Sequence, residues 1–405
     1  DAGLVPLTNA YVDAQLADTI LIVGANPYEA QTNYFLTHMI PNLSGGTLAK
    51  KRKAFQGETV EAGRMIIIDP RRTMSVASAE SAGGKDRVLH LQIEPGTDIP
   101  VLNAIARVVL EKRWYDIGFI QRRTERQTFE AYQRSTLAVD RPIDAVVEEA
   151  AEVSRILVSQ IYQAAEWIAA PKPGGFRRRT LLHYEKGLIW GLKNYENVAA
   201  IVDLGLLTGN VGKPGTGISR LGGHQEAYVR PQYTGGRPAP NVDEAVRRGE
   251  VKCYWVGGCN PVLTTIRAES MEAELKERGS LVRNALDKSQ GQPVGKRVVG
   301  VVEALKKGGM FLMVQDIYMT ATAQLANLVL PAAQWGETSL TSINGERRLR
   351  LYPKFMDPPG EAIPDWAIIA KFAKRLHQLY LEDRNPLMAS RFLEFSVILR
   401  CTRMQ

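Results

Sequence analysis

The amino-acid sequence predicts an α/β protein built as two doubly wound lobes, and three observations carry that prediction. Short apolar runs end repeatedly in Gly, Pro or Asp, as buried parallel strands do. Helical periodicities fill the intervals, which is the alternation of a parallel sheet wound with helices. One strand–glycine–Asn-Pro–helix pattern occurs twice, at Val23-Gly24-Ala25-Asn26-Pro27 and at Val256-Gly257-Gly258-Cys259-Asn260-Pro261. A chain of 405 residues has room for two or three such domains.

The elements follow in order. Thr19–Val23 is the first predicted strand, and a helical pattern covers Tyr28–Met39. Met65–Ile68 runs into Asp69-Pro70, and Val88–Ile93 runs into Glu94-Pro95-Gly96-Thr97-Asp98. Helices are expected over Ile99–Lys112 and Val153–Ile168, then a strand at Thr180–Tyr184 and a helix at Tyr195–Leu207. In the second lobe Cys253–Val256 is a strand, a helix lies near Glu269–Arg278, and Phe311–Val314 ends in Gln315-Asp316. Leu325–Leu330 is the last predicted strand and stops at Pro331. Residues 208–223, the most glycine-dense stretch, read as a loop that is neither helix nor strand and that comes close to something. The expected domains are 1–220, 221–385, and 386–405 as the start of a further region.

Composition removes several classes. The net charge of +8 is spread out, with no long basic run or aromatic interleaving, so nucleic acid is not expected as a partner. Three cysteines without metal-site spacing predict neither a disulfide framework nor a protein-ligated metal. No apolar run is long enough for a membrane span. The chain opens at Asp1 without an initiator Met or signal peptide, and reads as an interior piece of something longer.

The chemistry-bearing residues sit at strand ends. Glycine after a strand lets backbone N–H groups approach a phosphate at a helix N-terminus. Asp69, Asp98 and Asp316 suit ribose hydroxyls or a guanine edge, or else serve as helix caps and turn residues. Neither glycine turn is a full G-x-G-x-x-G, a poor match to an ordinary NAD site. Arg220 offers fixed donors for an oxyanion, and His224 can exchange a proton near neutral pH. With no G-x-S-x-G and no HExxH, the reaction falls to a cofactor.

These residues resemble the molybdopterin oxidoreductase superfamily of dimethyl sulfoxide reductase type. The resemblance rests on Gly24-Ala25-Asn26-Pro27, Ile68-Asp69-Pro70-Arg71, Pro95-Gly96-Thr97-Asp98 and 208–217. It continues through Gln315-Asp316 with Thr320, Leu330-Pro331-Ala332-Ala333 and Asn344-Gly345-Glu346-Arg347-Arg348. It implies two Rossmann-like lobes and a molybdenum held by two molybdopterin guanine dinucleotides, one per lobe. It also implies an N-terminal iron–sulfur domain and a C-terminal β-barrel domain lying outside this chain. The implied cofactor contacts in the first lobe are Gly24, Asn26, Pro27, Asp69, Arg71, Gly96 and Asp98, then Lys186, Trp190 and Gly191. Gly222, Gly257, Asn260, Gln315, Asp316 and Thr320 complete the set.

Within that superfamily, Arg220-Leu221-Gly222-Gly223-His224-Gln225-Glu226-Ala227-Tyr228-Val229-Arg230-Pro231 is similar to the arsenite oxidase large-subunit family. Tyr184-Glu185-Lys186-Gly187-Leu188-Ile189-Trp190-Gly191, Asp13–Phe35 and Thr338–Arg350 are similar as well. This implies arsenite as substrate, with Arg220 and His224 as the residues that meet it. It further implies an iron–sulfur cluster in the full-length chain, a Rieske-type small subunit, a cytochrome c or cupredoxin as acceptor, and a periplasmic location. Two departures stand out: Pro6 where the family's funnel glutamate would fall, and Cys259-Asn260-Pro261, which looks like the general superfamily turn. The alternatives are a formate, nitrate or thiosulfate-type enzyme of the same superfamily, or a non-catalytic dinucleotide-binding module.

Overall fold

The structure is a computed structural model that describes residues 10–191, 193–221, 239–343, 349–385 and 388. The chain divides into two compact units, residues 1–231 with 342–350, and residues 232–341 with 351–405.

In the first unit, β1 (Thr19–Val23), β2 (Arg64–Ile68), β3 (Val88–Leu91), β4 (Thr180–Tyr184) and β5 (Gly217–Arg220) form one sheet. All pairs are parallel and the order is β3-β2-β1-β4-β5, so the winding reverses between β1 and β4. Every residue of β1 is buried, because helices cover both faces. Leu21, Val23, Ile66 and Ile68 face the helices Asp98–Glu111, Val158–Ala169 and Asn194–Leu207. Ile20, Ile22, Met65 and Ile67 face Phe35, Met39 and Val76 on the other side. Each such side chain contributes about 1.5–3 kcal/mol on burial. The register pairs Val23 with Ile68 and Tyr184, Ile68 with Leu91, and Tyr184 with Arg220. All carboxyl ends therefore finish level, and the turns after them lie side by side.

In the second unit, β6 (Cys253–Gly257), β7 (Phe311–Asp316) and β8 (Leu328–Pro331) form a parallel sheet in the order β6-β7-β8. Among the described residues this sheet winds one way, so the expected double winding is seen in the first unit alone. Two further strands, β9 (Leu340–Ile343) and β10 (Leu349–Tyr352), make a ribbon. No helix among the described residues is long and apolar enough to cross a membrane.

Four sequence expectations are corrected. The glycine-dense stretch includes a true strand, β5, because Leu182 and its neighbours on β4 supply a ladder that composition does not reveal. Val153–Ile168 is not one helix. Ile143–Ser154 stops at Arg155, whose φ of 56° is left-handed, and Val158–Ala169 restarts where Gln160 Oε1 accepts the Leu157 N–H at 2.9 Å. Tyr28–Met39 is broken into Pro27–Ala30, Thr32–Tyr34 and a π-turn, Phe35–Met39. Pro41 has no N–H for the Thr37 carbonyl, which accepts from Gln15 Nε2 at 3.3 Å instead. The last strand starts at Leu328, since Leu325 caps the short helix Ala321–Gln324.

Candidate functional site

The two units carry the same turn. Gly24 and Gly258 follow β1 and β6 with φ of 60° and 61°. Gly24 N–H donates to the Ile68 carbonyl at 3.0 Å, and Gly258 N–H to the Gln315 carbonyl at 2.9 Å. Asn26 and Asn260 have matching backbone angles, φ −117°, ψ 75° and φ −127°, ψ 70°. Each begins a helix with proline in its first turn, Pro27 or Pro261. The Oδ1 of Asn26 accepts the Ser75 hydroxyl at 2.6 Å, and that of Asn260 accepts the Thr322 hydroxyl at 2.7 Å. The same hydroxyl oxygens accept the N–H of Tyr28 at 3.0 Å and of Val262 at 3.3 Å.

The aspartates match too. Asp69 Oδ1 accepts the Arg71 N–H at 2.8 Å, and Asp316 Oδ1 accepts the Tyr318 N–H at 3.0 Å. Each closes a turn two residues long on itself. His90 on β3 bonds the Asp69 carbonyl at 3.0 Å, which fixes the start of that turn. Asp98 is the first residue of the helix Asp98–Glu111, several residues past the end of β3. Burial, then the negative charge of Asp69, pushes the Asp98 carboxyl up. Gly96 beside it has φ 86° and open space where a Cβ would stand.

Around β4 the first unit adds its own features. Gly24 lies against Gly187: a Cβ on Gly24 would stand 2.5 Å from Leu188 N. The missing side chain there makes room for protein backbone, whereas a Cβ on Gly257 or Gly258 would meet nothing within 4 Å. Lys186 Nζ sits 4.6 Å from the centre of the exposed Trp190 ring, a cation–π contact, and Gly191 follows. Arg220, at the end of β5, is engaged by Glu185, its Nη2 at 3.0 Å from Oε1 and its Nε at 3.2 Å from Oε2. Glu185 is buried, and the Arg220 side chain is 31% exposed. The fork of Arg220 is thus fixed in plane by a carboxylate.

The structure brings Gly24, Asn26, Pro27, Asp69 and Arg71 to one sheet edge with Lys186, Trp190 and Arg220. In the second unit it collects Gly257, Asn260, Asp316 and Thr320 at the carboxyl edge. Thr320 caps the helix Ala321–Gln324, its hydroxyl accepting the Ala323 N–H at 3.1 Å. Gln315 is buried and donates to Asp365. His224 and Gly222 lie outside the described residues. Sequence reasoning missed Ser75, Thr322 and Glu185. It also missed Gln31, whose Nε2 holds the Leu221 carbonyl at 2.6 Å while its Oε1 is buried without a partner.

Within each unit taken by itself, this donor set suits a phosphate-bearing ligand. Each turn offers backbone and amide N–H groups for phosphate and a carboxylate for a purine edge, and Gly258 and Gly96 leave open space beside them.

Residues 5–375 match the family model described as Molybdopterin oxidoreductase. The chain is 41% identical, over 98% of its length, to arsenite oxidase subunit AioA of Herminiimonas arsenicoxydans. It is 31% identical over 93% of its length to iodate reductase subunit IdrA of Pseudomonas sp. strain SCT. It is also 31% identical over 90% of its length to nitrate reductase of Synechocystis sp.. The chain spans about half the length of these relatives: 46%, 43% and 47% in turn.

Proposed function

The chain belongs to the molybdopterin oxidoreductase family, and from that premise we propose that it is part of the catalytic subunit of an enzyme that oxidises arsenite to arsenate. The observation that carries this reading is the 41% identity over 98% of the chain to an arsenite oxidase subunit, against 31% to iodate and nitrate reductases.

In this reading the molybdenum cofactor supplies two-electron acceptance and an oxygen atom for transfer. Gly24, Asn26 and Asp69 hold the dinucleotide end of one pterin with Gly96 and Asp98, and Gly257, Asn260, Asp316 and Thr320 hold the other. Arsenous acid is mostly neutral at neutral pH, whereas the product is anionic. The Arg220 guanidinium, kept in one plane by Glu185, gains attraction as negative charge develops on the oxygens. An interaction that strengthens along the reaction lowers the barrier. His224 accepts a proton from a substrate hydroxyl. In the complete enzyme an iron–sulfur cluster, a Rieske-type subunit and a cytochrome c or cupredoxin in the periplasm would supply onward electron transfer.

The test uses the full-length enzyme with a dye acceptor for arsenite and formate and a dye donor for iodate and nitrate. Arsenite should have the highest kcat/KM. Arg220→Ala should keep its molybdenum and lose roughly a hundredfold in arsenite kcat/KM, as when one charge-stabilising donor is removed. A loaded enzyme that prefers iodate, nitrate or formate overturns the substrate assignment. Molybdenum content falling in step with activity would make Arg220 a cofactor holder.

A further inference from the structure

We infer that Ser75 and Thr322 are positioning residues, one in each unit, that turn the amide of Asn26 or Asn260 so that its Nδ2 donates to the bound dinucleotide. The inference rests on the proposed cofactor and adds two residues that the family motifs did not single out.

The orientation follows from hydrogen-bond accounting. A hydroxyl has one proton to give and two lone pairs to receive with. Ser75 Oγ gives its proton to Asn26 Oδ1 at 2.6 Å and receives the Tyr28 N–H at 3.0 Å. Thr322 Oγ1 does the same between Asn260 Oδ1 at 2.7 Å and the Val262 N–H at 3.3 Å. In the second unit the Thr322 backbone N–H also points at Asn260 Oδ1, at 3.1 Å. A backbone N–H can only donate, so the atom facing it must be the oxygen, and the amide cannot be flipped. The matched turn, with Gly24 and Gly258 at φ 60° and 61°, carries the same orientation to Asn26.

Once Oδ1 is committed, the NH₂ faces the other way. Neither Asn26 Nδ2 nor Asn260 Nδ2 has an acceptor among the described residues. Both side chains are half-buried, two residues after the glycine and ahead of a helix N-terminus. Each unit, taken by itself, holds the amide so that its Nδ2 donor points away from the hydroxyl brace. The class of group that completes it is an acceptor oxygen on the dinucleotide.

The test is made on the full-length enzyme by counting molybdenum and acid-released guanine nucleotide per chain after extensive dialysis. Asn26→Asp and Asn260→Asp are the decisive variants. Aspartate still accepts the Ser75 or Thr322 hydroxyl, so the brace remains, while the outward donor becomes an acceptor. Each should retain nucleotide roughly tenfold less well than wild type, with an unchanged melting temperature of the cofactor-free protein. Ser75→Ala and Thr322→Val should lose nucleotide likewise, and Ser75→Thr and Thr322→Ser should restore it. Wild-type retention in both Asn→Asp variants overturns the inference, as does loss in the hydroxyl variants that tracks a fall in melting temperature alone. A wild-type enzyme that itself carries no molybdenum or guanine nucleotide would instead remove the cofactor reading on which the inference stands.

Discussion

Gly24 and Gly258 occupy the same place in two copies of one turn, and alanine at each should cost different amounts. Both have φ near 60°, where an L-residue pays about 1–2 kcal/mol for its Cβ. At Gly258 that is the whole cost, because a Cβ would meet nothing within 4 Å. At Gly24 the new Cβ would come 2.5 Å from Leu188 N and 2.8 Å from Gly187 C, both backbone atoms that cannot rotate away. Forcing an atom into a packed site adds about 1–3 kcal/mol. The expected destabilisation is thus about 2–5 kcal/mol for Gly24→Ala and about 1–2 kcal/mol for Gly258→Ala. Gly187→Ala measures the contact from the other side, since its Cβ would stand 2.7 Å from Gly24 Cα. Denaturant unfolding gives the totals, and hydrogen exchange in β1 and β6 assigns each loss to its unit. Equal costs at Gly24 and Gly258 would refute the packing argument.

Three further outcomes follow from buried charge and from the Arg220 clamp. Glu58 is held down to about 2, first by its hydrogen bonds from Arg179, both at 2.6 Å, and then by Lys172. Its stabilisation is complete above the unfolded value near 4.5 and lost as pH falls to about 2, so wild type and Glu58→Gln should converge in unfolding free energy over that window. His183 is fully buried, bonded to the Tyr34 phenol at 3.0 Å and the Ser219 hydroxyl at 3.0 Å, and burial pushes it down to about 4. The unfolded chain takes up a proton near 6.5 and the folded one does not, so stability should fall as pH drops from 6.5 to 4, and His183→Gln should remove that part of the slope. Glu185→Gln should leave molybdenum in place and lower arsenite kcat/KM about tenfold, the order expected for weakening one charge-assisted bond; an unchanged value would separate the clamp from turnover.

Much of the first sheet was legible because β1 and β2 are buried and carry the apolar runs 20–23 and 65–68, while β4 shows a shorter one, Leu181 and Leu182, between Thr180 and His183. β5 was not, since Gly217-Ile218-Ser219-Arg220 has strand character only beside β4. The broken helix at Arg155 hid for a related reason: a left-handed arginine carries no sequence mark, whereas a glycine there would have announced the stop. At the site, the Gly-Asn-Pro turns and Asp69 and Asp316 were visible as strand-end punctuation. Ser75 and Thr322 were overlooked although each stands six residues after its aspartate. A hydroxyl at a helix start usually signals a cap, and nothing local tells that it reaches back to an asparagine 49 or 62 residues earlier.

The repeat also explains why the two copies of the turn must diverge. In the first unit β1 has a neighbour on each side, β2 and β4, and the reversal of winding brings the Glu185–Leu188 segment over Gly24. Gly187 N–H donates to the Gly24 carbonyl at 3.0 Å, so protein backbone occupies the space that the glycine leaves. That contact is what carries Glu185 and Lys186 to the same edge as Asn26 and Asp69. In the second unit, among the described residues, β6 pairs with β7 alone, and Gly258 faces open space. The shared hydroxyl–asparagine brace shows what the fold repeats, namely the aim of one amide, while the strand beside it decides what approaches the turn. The Arg220–Glu185 pair depends on β4 and β5, for which the second unit has no counterpart among the described residues. On the function proposed above, the duplicated turn would serve two similar ligand ends, and the strands added on one side would give the first unit alone the Arg220–Glu185 pair.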